Sequence, residues 1–475
     1  MTAFLLLLIA IQSSTDPSQL VSQLGSPRFA EREAAGAALR NLGRQAVAAL
    51  RVGMGSTDAE VVTRATDLLE QIESRMLLEP TVVRLDFRDR PIAEILRELG
   101  AQTKWTMAIT PEAGPLLSQR KLTLESREPV PFWEAFERIA RTLPCQATSG
   151  FNPGAFGPNA AAQPSLLLIP TKPGTVPTSI SGPFRTSVFK IHHERNREFF
   201  AGLPAQMAFN QGFAGAIAQP QPPRAVDGRQ APTQEVAGEF QEQFVVGLQI
   251  LAEPRLSVTQ NGALKIHAAV DDLGRPLSVV DGAAGMQSGI GMNPYGVVGG
   301  SQLIVPVSLG LPEGHGKVIK RLKGELPVLL HSRKENPFVL KLADAKGKML
   351  DGPGLAILVH DIKTGPNQPF ISIDLTVKVK GEAEGSPAQN GFGPEFGIFR
   401  NNAGQSQSQI EFTDAEGRQY TQWYMFNPQS TNEGLRITVR LIPTEGLGPP
   451  ALMRHYSMSR AESKIEFELS DIPMP

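Results

Sequence analysis

Cysteine is almost absent from this sequence of 475 residues, and Cys145 is its single thiol. One cysteine excludes an intrachain disulfide framework and any cysteine-rich zinc or iron–sulfur site. An excess of one charge sign is also absent, because 46 basic residues stand against 47 acidic ones and the formal net charge is -1. A chain without net positive charge lacks the overall electrostatic attraction that binds nucleic acid or anionic lipid.

The motifs of common enzyme classes are missing as well. The sequence has no G-x-S-x-G nucleophile elbow, no G-x-x-x-x-G-K-[ST] phosphate loop and no G-x-G-x-x-G that opens a helix. His192 and His193 are the only adjacent histidines. Neighbouring residues of a strand point to opposite faces, so this pair does not fit one metal ion. We therefore predict no catalytic residue, no cofactor and no metal ligand.

A short apolar run, Ala3 to Ile11, precedes the polar stretch QSSTDPSQ. Its length fits the hydrophobic region of a signal peptide and falls short of the ~20 residues that span a bilayer. The pattern predicts a signal peptide over residues 1–14, export to the periplasm or the cell surface, and no membrane span in the mature chain. The alternative is a short buried hydrophobic segment.

A helical segment is predicted over residues 18–76. Ser26 and Pro27 mark the start of one helix and Gly43 its end, and a capping box at Thr57 to Glu60 opens another. The apolar residues of that second helix share one face: they are Val61, Ala65, Leu68, Leu69 and Ile72.

This segment resembles a HEAT-type helical repeat in its pattern A-x-R-E-A-A…L-x-x-L-G-x-x-A-x-x-A-L, followed by a capped second helix. The resemblance implies a solenoid fold and carries no catalytic residue. About one and a half units are present, and solenoids usually need three or more repeats to be stable. We therefore expect the segment to pack on a neighbouring domain or on a partner.

A small α/β domain is predicted over residues 80–173, because one pattern occurs in it twice. Val82 to Leu99 and Lys121 to Ala140 both show a strand, a turn, a proline and an amphipathic helix. Pro91 and Pro131 are expected to start the two helices. A strand at Trp105 to Ile109, and a hairpin of Cys145 to Thr148 with Leu166 to Ile169, complete the predicted sheet.

The first half of this domain resembles the short amino-terminal (STN) domain of secretins and TonB-dependent transducers. The matching residues of the pattern V-x-L-x-F-x-x-x-P-x-x-x-x-L are Val83, Leu85, Phe87, Pro91 and Leu96. The resemblance implies a periplasmic domain that contacts other proteins. The matching residues form the core, so no functional site is carried over from them. The remaining chain offers neither a membrane-embedded secretin region nor a transducer barrel.

From residue 183 onward, alternation of apolar and polar residues predicts antiparallel β structure. Ile371 to Lys380, Leu435 to Leu441 and Ile465 to Leu469 show it most clearly. We predict Ig-like β-sandwich domains. Their predicted bounds are 183–280 for a small β domain with a disordered insert at 201–238, 281–300 for a Gly-rich linker, and 301–475 for a sandwich with an insert at 381–409.

Three tetrads of the form D-x-x-G-[RK] follow predicted strands. They begin at Asp271, Asp344 and Asp414. A type I turn favours Asp at its first position and Gly at its fourth, which predicts three hairpin turns. The alternative, a calcium loop, lacks the further carboxylates that an oxygen cage requires.

Three other groups of residues have both a structural and a functional interpretation. Cys145 is expected to be buried rather than nucleophilic. The basic residues of HGKVIKRLKGE are expected to protect an exposed edge strand, with phosphate or anionic glycan binding as the alternative: they are Lys317, Lys320, Arg321 and Lys323. The aromatic residues of YTQWYMF are expected to lie in the core, with sugar stacking as the alternative: they are Tyr420, Trp423, Tyr424 and Phe426.

The sequence thus predicts a multidomain α+β protein of the cell envelope. We expect it to act without chemistry, as an exported structural or adaptor module that binds other envelope proteins. One alternative is a β-sandwich that binds carbohydrate or the cell wall. A further alternative is a hydrolase whose carboxylates meet only in the folded chain.

Overall fold

The computed structural model describes most of the chain beyond the amino terminus. The described residues are 16–117, 119–143, 145–149, 165–171, 176–197, 240–280, 301–334, 337–352, 355–363, 370–379, 410–421 and 423–474. They form an α+β protein in which almost all strand pairs are antiparallel, as the sequence predicts. The predicted signal peptide and linker and the two predicted inserts lie outside the described residues.

A helical unit occupies residues 16–78. Its elements are α1 (Pro17–Gln23), α2 (Phe29–Leu42), a 3₁₀ turn (Gly43–Ala46), α3 (Val47–Gly53) and α4 (Ala59–Leu78). The side chain of Asp58 caps α4 by accepting the N–H of Glu60 at 2.9 Å. The predicted apolar face of α4 is confirmed, since its members are buried in the core of this unit.

The start of α2 differs from the prediction. The helix begins at Phe29, two residues after Pro27, because the Ser26 hydroxyl accepts the N–H of Arg28 and holds the preceding turn. The hydroxyl also donates to the carboxylate of Glu31 at 2.6 Å, so Ser26 fixes the entry to the helix from outside it.

An α/β unit follows. It contains β1 (Val82–Val83), β2 (Asp86–Pro91), α5 (Ile92–Thr103), β3 (Met107–Ile109), α6 (Gly114–Leu117), β4 (Lys121–Glu125), β5 (Val130–Pro131), α7 (Phe132–Thr142), β6 (Cys145–Ser149) and β7 (Leu166–Pro170). Pro91 and Pro131 stand at the N-caps of α5 and α7, as predicted. Strand β1 pairs with β5, β2 with β4, and β7 lies between β3 and β6. The predicted closing hairpin is confirmed as the pair β6–β7.

The first β unit combines two stretches of the chain. Its strands are β8 (Thr178–Ser181), β9 (Phe184–Arg197), β10 (Phe240–Ala252), β11 (Ser257–Gln260), β12 (Lys265–Asp271), β13 (Ser278–Val279), β14 (Gln302–Gly310), β15 (Val318–Arg333), β24 (Met458–Leu469) and β25 (Ile472–Pro473). We call β13-β14-β10-β9-β8 its wide sheet. In its narrow sheet, β15 lies between β11 and β12 on one edge and β24 and β25 on the other.

The second β unit lies between β15 and β24 in the chain. Its elements are β16 (Phe338–Lys341), α8 (Leu342–Ala345), β17 (Met349–Gly352), β18 (Leu355–Lys363), β19 (Ile371–Val379), β20 (Ile410–Asp414), β21 (Trp423–Thr431), β22 (Gly434–Leu441) and β23 (Pro450–His455). Its wide sheet has the order β21-β22-β19-β18-β17, and its narrow sheet the order β20-β23-β16. In each β unit, residues of both sheets share one buried core, as in a sandwich.

The strand pairing changes the predicted domain bounds. Strand β14, beyond residue 301, pairs with β10, and β15 pairs with β11 and β12. The predicted boundary at 281–300 therefore runs through one β unit, and the predicted domain 301–475 holds parts of two. Alternation along a strand shows which face is buried but does not show which strand is the neighbour, so the sequence placed the boundary at the Gly-rich stretch.

The two β units are copies of one architecture. Each strand of one wide sheet has a counterpart in the other, in the same order and with the same antiparallel pairing. Both copies have a β-bulge at the equivalent place in the wide sheet, at Phe189 in β9 and at His360 in β18. Both also have a bulge in the central strand of the narrow sheet, at Lys320 opposite Asp271 and at Ala451 opposite Asp414. Matching bulges in matching strands indicate an internal duplication.

The same turn closes the same strand in both copies. Asp271 and Asp414 each accept the N–H of the arginine four residues later, at 2.7 and 2.8 Å. The other oxygen of each carboxylate accepts a glycine N–H from a distant loop, from Gly316 at 2.7 Å and Gly448 at 3.1 Å. The fourth residue of each turn is a glycine at positive φ, +78° at Gly274 in the first copy. These turns confirm the hairpin prediction for two of the three tetrads.

Candidate functional site

The outer face of the first wide sheet is the docking surface of the α/β unit. Arg185 of β9 is almost fully buried there, and its Nε donates to Glu137 of α7 at 2.6 Å. The same guanidinium donates to the hydroxyl of Ser187 at 3.1 Å, and it lies 5.8 Å from the ring of Phe136. A buried arginine needs such a set of partners, because a buried charge left without them is costly.

Further contacts extend this interface along the sheet. The indole N–H of Trp133 in α7 donates to the carbonyl of Pro183 at 3.0 Å. Thr148 of β6 donates to the side chain of Gln302 in β14 at 3.2 Å. Leu251 of β10 is buried in the core of the α/β unit. Helix α7 and strand β6 thus cover the outer face of the first wide sheet with both polar and apolar contacts.

A second buried pair joins three units. Glu253 follows β10 and is fully buried, and its carboxylate accepts the backbone N–H and the hydroxyl of Thr81, each at 2.7 Å. Arg255 donates to the same carboxylate at 2.7 Å. The guanidinium of Arg255 also donates to carbonyls at the end of α4, those of Met76 and Leu77. The helical unit, the α/β unit and the first β unit therefore share one hydrogen-bonded cluster.

A third buried acid holds α4 against the first β unit. Glu73 accepts from Lys334 at 2.9 Å, from Ser459 at 3.1 Å and from Arg51 at 3.3 Å. The helical unit is thus packed on β24 and on the end of β15, which meets the expectation that an incomplete helical array packs on a neighbouring domain.

The outer face of the second wide sheet presents different chemistry. Arg440 of β22 lies between two aromatic rings, with its guanidinium carbon 3.9 Å from the ring centroid of Phe426 and 4.5 Å from that of Phe370. Its Nε is buried and has no hydrogen-bond partner among the residues that the structure describes. On the same face, Arg436 donates to Asp374 at 2.6 Å. This face holds a stacked arginine whose hydrogen-bonding capacity is incompletely used.

A shallow groove lies on the outer face of the first narrow sheet. It has a volume of about 390 Å³ and is lined by His267, Ala268, Arg321, Lys323, Gly324 and Glu466. His267 lies 3.6 Å from the carboxylate of Glu325. The hydrogen bond from Lys464 lowers the pKa of Glu325, with Lys265 and His267 adding to the effect. A carboxylate held as an anion by lysines stabilises the sheet surface and is poorly suited to act as a general acid.

The basic cluster lies elsewhere than the sequence predicts. Three of its residues are on β15, which is the central strand of its sheet and not an edge. Lys320 pairs with Asp471 at 2.7 Å, and Arg321 pairs with Glu468 at 2.9 Å. The edge-strand prediction is therefore wrong, and the carboxylates of β24 and the following turn neutralise much of this charge. Sequence reasoning failed because these partners come from the far end of the chain.

Two residues of the aromatic run, Tyr420 and Trp423, lie in the core as expected, whereas Phe426 lies on the outer face of the second wide sheet. Tyr420 is buried and its hydroxyl donates to the carbonyl of Gly448 at 2.5 Å. Trp423 is buried and contacts Phe412 edge to face, with the ring centroids 5.6 Å apart. Phe426 stacks on Arg440, and the side chain of Tyr424 lies outside the described residues. The three side chains of this run that the structure describes form no coplanar, exposed platform for a sugar.

Most of the remaining candidate residues make contacts within the fold. Burial raises the pKa of the Cys145 thiol to about 11, so this thiol is protonated at neutral pH, in line with the predicted burial. His192 and His193 are adjacent on β9, and the ring of His193 lies against Phe244. Both oxygens of Asp271 accept N–H groups, which occupy the positions that a calcium ion would need. Asp344 lies in the single turn of α8.

The residues that form the interfaces were missed by sequence reasoning. Arg185, Glu137 and Glu253 are ordinary charged residues of a strand, a helix and a loop in the sequence. The signal near Glu253 is its position in Glu-Pro-Arg directly after a long apolar strand, where two charges flank a rigid residue. For Arg440, the signal is its place at an outward position of β22, between the buried residues Val439 and Leu441.

In the part of the chain that the structure describes, no helix is both long and apolar enough to cross a membrane. Likewise, none of the described histidine, cysteine, aspartate and glutamate side chains form a group of three that fits a metal ion. Comparison of the chain with protein-family models, with curated proteins and with solved structures found no match.

Proposed function

We propose that this chain is an exported, non-enzymatic adaptor of the cell envelope, which holds binding surfaces in a fixed arrangement and contacts other proteins. The proposal assigns residues 18–76 to a HEAT-like segment, residues 80–173 to an STN-like domain, and the two β units to Ig-like sandwiches. STN domains contact other proteins in the periplasm, which supports both the role and the compartment.

One observation carries the proposal. The outer face of the first wide sheet is used as a protein-docking surface within the chain, through the buried pair of Arg185 and Glu137. A sheet face that binds a folded α/β unit can bind a folded partner by the same contacts, because domain interfaces within a chain resemble interfaces between proteins. The second β unit repeats this architecture and supplies a second face of the same kind.

The buried clusters support a structural role. The carboxylates of Glu73 and Glu253 are each bonded to at least two units, so they hold the units in one orientation. Removing one partner of such a buried pair typically costs about 3–5 kcal/mol, which is a large share of the stability of a domain. Fixed geometry serves an adaptor, whose partners bind at set positions.

The role is tested by affinity capture with the full-length chain. Envelope extracts of the native cells are passed over the wild-type protein and over a matched variant, Glu253→Gln, in which the arrangement of the units is weakened. We expect the same partners to be recovered reproducibly with the wild type and in smaller amounts with the variant. A wild-type chain that returns no reproducible partner contradicts the proposal, as does turnover of a substrate that one polar substitution abolishes.

The compartment is tested separately. Fractionation of the native cells, with sequencing of the mature amino terminus, is expected to find the chain in the periplasm or at the surface, cleaved near residue 14. Full-length chain in the cytoplasm would contradict export. That result would leave the interaction role to be judged by the capture experiment.

A further inference from the structure

We infer that the outer face of the second wide sheet is a docking surface for a partner protein that presents carboxylate side chains from a helix, with Arg440 as its anchor. This inference rests on the proposed function and makes it specific. It names the surface, the residue that holds the partner, and the chemistry of the group that is bound.

The first step is the equivalence of the two wide sheets. Strand β9 corresponds to β18, β10 to β19 and β14 to β22, and the bulges at Phe189 and His360 fix the register of the comparison. When the strands are aligned at these bulges, residues that point outward in the first wide sheet align with residues that point outward in the second. The two outer faces are therefore the same surface of one repeated architecture.

The second step is the use of that surface in the first copy. Helix α7 covers the face there, and its Glu137 binds Arg185. The guanidinium of Arg185 lies near an aromatic ring, that of Phe136, while its Nε donates to the carboxylate. The first copy thus shows the occupant of the face, which is a helix with an acidic side chain aimed at an arginine.

The third step is the state of the same face in the second copy. Asp374 pairs with Arg436, and His360 lies 2.8 Å from the hydroxyl of Thr376, so both pairs stay within the face. Lys378 and Arg436 are exposed, and Thr376 and Ala356 at its centre are small and buried. A face with cations at its rim and small side chains at its centre is complementary in charge to a helix that carries acidic residues.

The last step is the chemistry of Arg440. Two rings hold its guanidinium between them, which fixes the plane of the group and leaves its edge as the binding element. A carboxylate binds such an edge through two parallel hydrogen bonds. The Nε of Arg440 is buried and unpartnered within the described residues, so a partner carboxylate is expected to reach the terminal nitrogens of this guanidinium; Arg185, which is on a different strand of its face, donates to Glu137 through Nε.

The test is photo-cross-linking in the native cells with the full-length chain. In one variant a photoreactive residue replaces Ser372, which is paired with Arg440 on the neighbouring strand. In a separate control variant it replaces Lys464, on the outer face of the first narrow sheet. We expect a single main adduct from position 372. Mass spectrometry of the cross-linked peptide is expected to find a helical partner segment with Asp or Glu, and the yield at position 464 is expected to be low.

Substitutions then test the anchor. Arg440→Glu is expected to lower the adduct yield at least tenfold, and Arg440→Gln, which disturbs the stack less, at least threefold. The control Arg321→Glu, on β15 of the first narrow sheet, is expected to leave the adduct yield at position 372 unchanged. Thermal unfolding of each variant shows whether it is folded, and the milder variant decides the outcome if the charge reversal unfolds the second β unit.

Three results overturn the inference. They are an adduct with a second copy of this chain, a yield at position 372 that does not respond to either Arg440 variant, and a cross-linked partner segment without acidic residues. If the Arg440→Gln chain gives the wild-type yield at position 372 and partners are still captured, the inference fails and the adaptor role stands. If the wild type captures no partner, both fail.

Discussion

The two β units have one architecture and differ in what completes it. The first wide sheet is covered by the α/β unit of the same chain, whereas the second carries the stacked Arg440 on the equivalent face. The narrow sheets differ too. In the first, β24 from near the end of the given sequence pairs with the central strand β15, and in the second, β16, the first strand of that unit, pairs with the central strand β23. One fold is thus completed once by other parts of the chain and once by strands of a single stretch, residues 338–455.

This difference predicts how the two units depend on the rest of the chain. The first needs the α/β unit on one side and the carboxy-terminal strands on the other. All strands of the second lie within residues 338–455. Three of the following changes remove a feature that only one β unit has. The fourth removes the turn aspartate that both units have.

The largest effect is expected from deleting residues 458–475. The deletion takes five buried side chains out of the first core: Ala461, Ile465, Phe467, Leu469 and Ile472. Each large side chain is worth about 1.5–3 kcal/mol on burial, so the first β unit is expected to unfold. Limited proteolysis should degrade it and leave a stable fragment near residues 338–455. A control that lacks only residues 474–475 should resist cleavage, and loss of both units together would contradict their independence.

Glu253→Gln is expected to have the next largest effect. The substitution leaves Arg255 without its buried counter-charge, which typically costs about 3–5 kcal/mol. Denaturant unfolding should show an earlier transition for the first β unit and an unchanged one for the second. The exposed Glu466→Gln serves as the control and should change neither. An equal shift of both transitions would show that the two units unfold as one.

Acid is expected to destabilise the second unit through a single histidine. Burial lowers the pKa of His455 to about 4, whereas the equivalent position of the first unit is Gly324. The unfolded chain takes up the proton near pH 6.5, so the stability of the second unit should fall as the pH falls from 6.5 to 4. A pKa difference of this size between the folded and unfolded states changes the free energy of unfolding by about 3 kcal/mol. His455→Leu should flatten the pH dependence measured by denaturant unfolding, and His267→Gln should not.

The smallest effect is expected at the shared turn, where the two copies should respond alike. Burial alone would raise the pKa of Asp271, and N–H groups led by that of Gly316 lower it below its ordinary value. The pKa of Asp414 is lowered in the same way, by N–H groups led by that of Gly448. Each carboxylate stabilises its unit at neutral pH, and this stabilisation is lost as the pH falls through the pKa of the folded state.

Asp271→Asn and Asp414→Asn should therefore lower the denaturant midpoints of their own units by similar amounts. Asp344→Asn, at an exposed position outside the duplicated turn, should have little effect. Midpoints that differ severalfold between the first two variants would contradict the equivalence of the turns.

Local patterns in the sequence were sufficient to predict several elements. The prolines at 91 and 131, the hairpin of β6 with β7 and the buried face of α4 follow from short-range rules of capping and periodicity. Two of the three D-x-x-G-[RK] tetrads proved to be the same turn. They also carried an unused signal, since each is followed later by Glu-Gly-x-Gly, at 313–316 and 445–448, which supplies the glycine N–H bound by the aspartate.

Other features depended on contacts that no local rule contains. Strand β15 was predicted as an edge, yet β24 pairs with it from more than a hundred residues away. Arg185 and Glu137 meet only after two units have docked. A duplication with few shared residues is visible in strand order and bulge position, and both are properties of pairing rather than of composition.

A double-mutant cycle at Arg185 and Glu137 tests most directly whether the outer face of the wide sheet is a docking surface. The free energy of unfolding is measured for the wild type, Arg185→Met, Glu137→Gln and the double variant. A buried pair at 2.6 Å is expected to give a coupling energy of about 2 kcal/mol or more. Additive effects, with a coupling energy near zero, would mean that the α/β unit does not dock on this face.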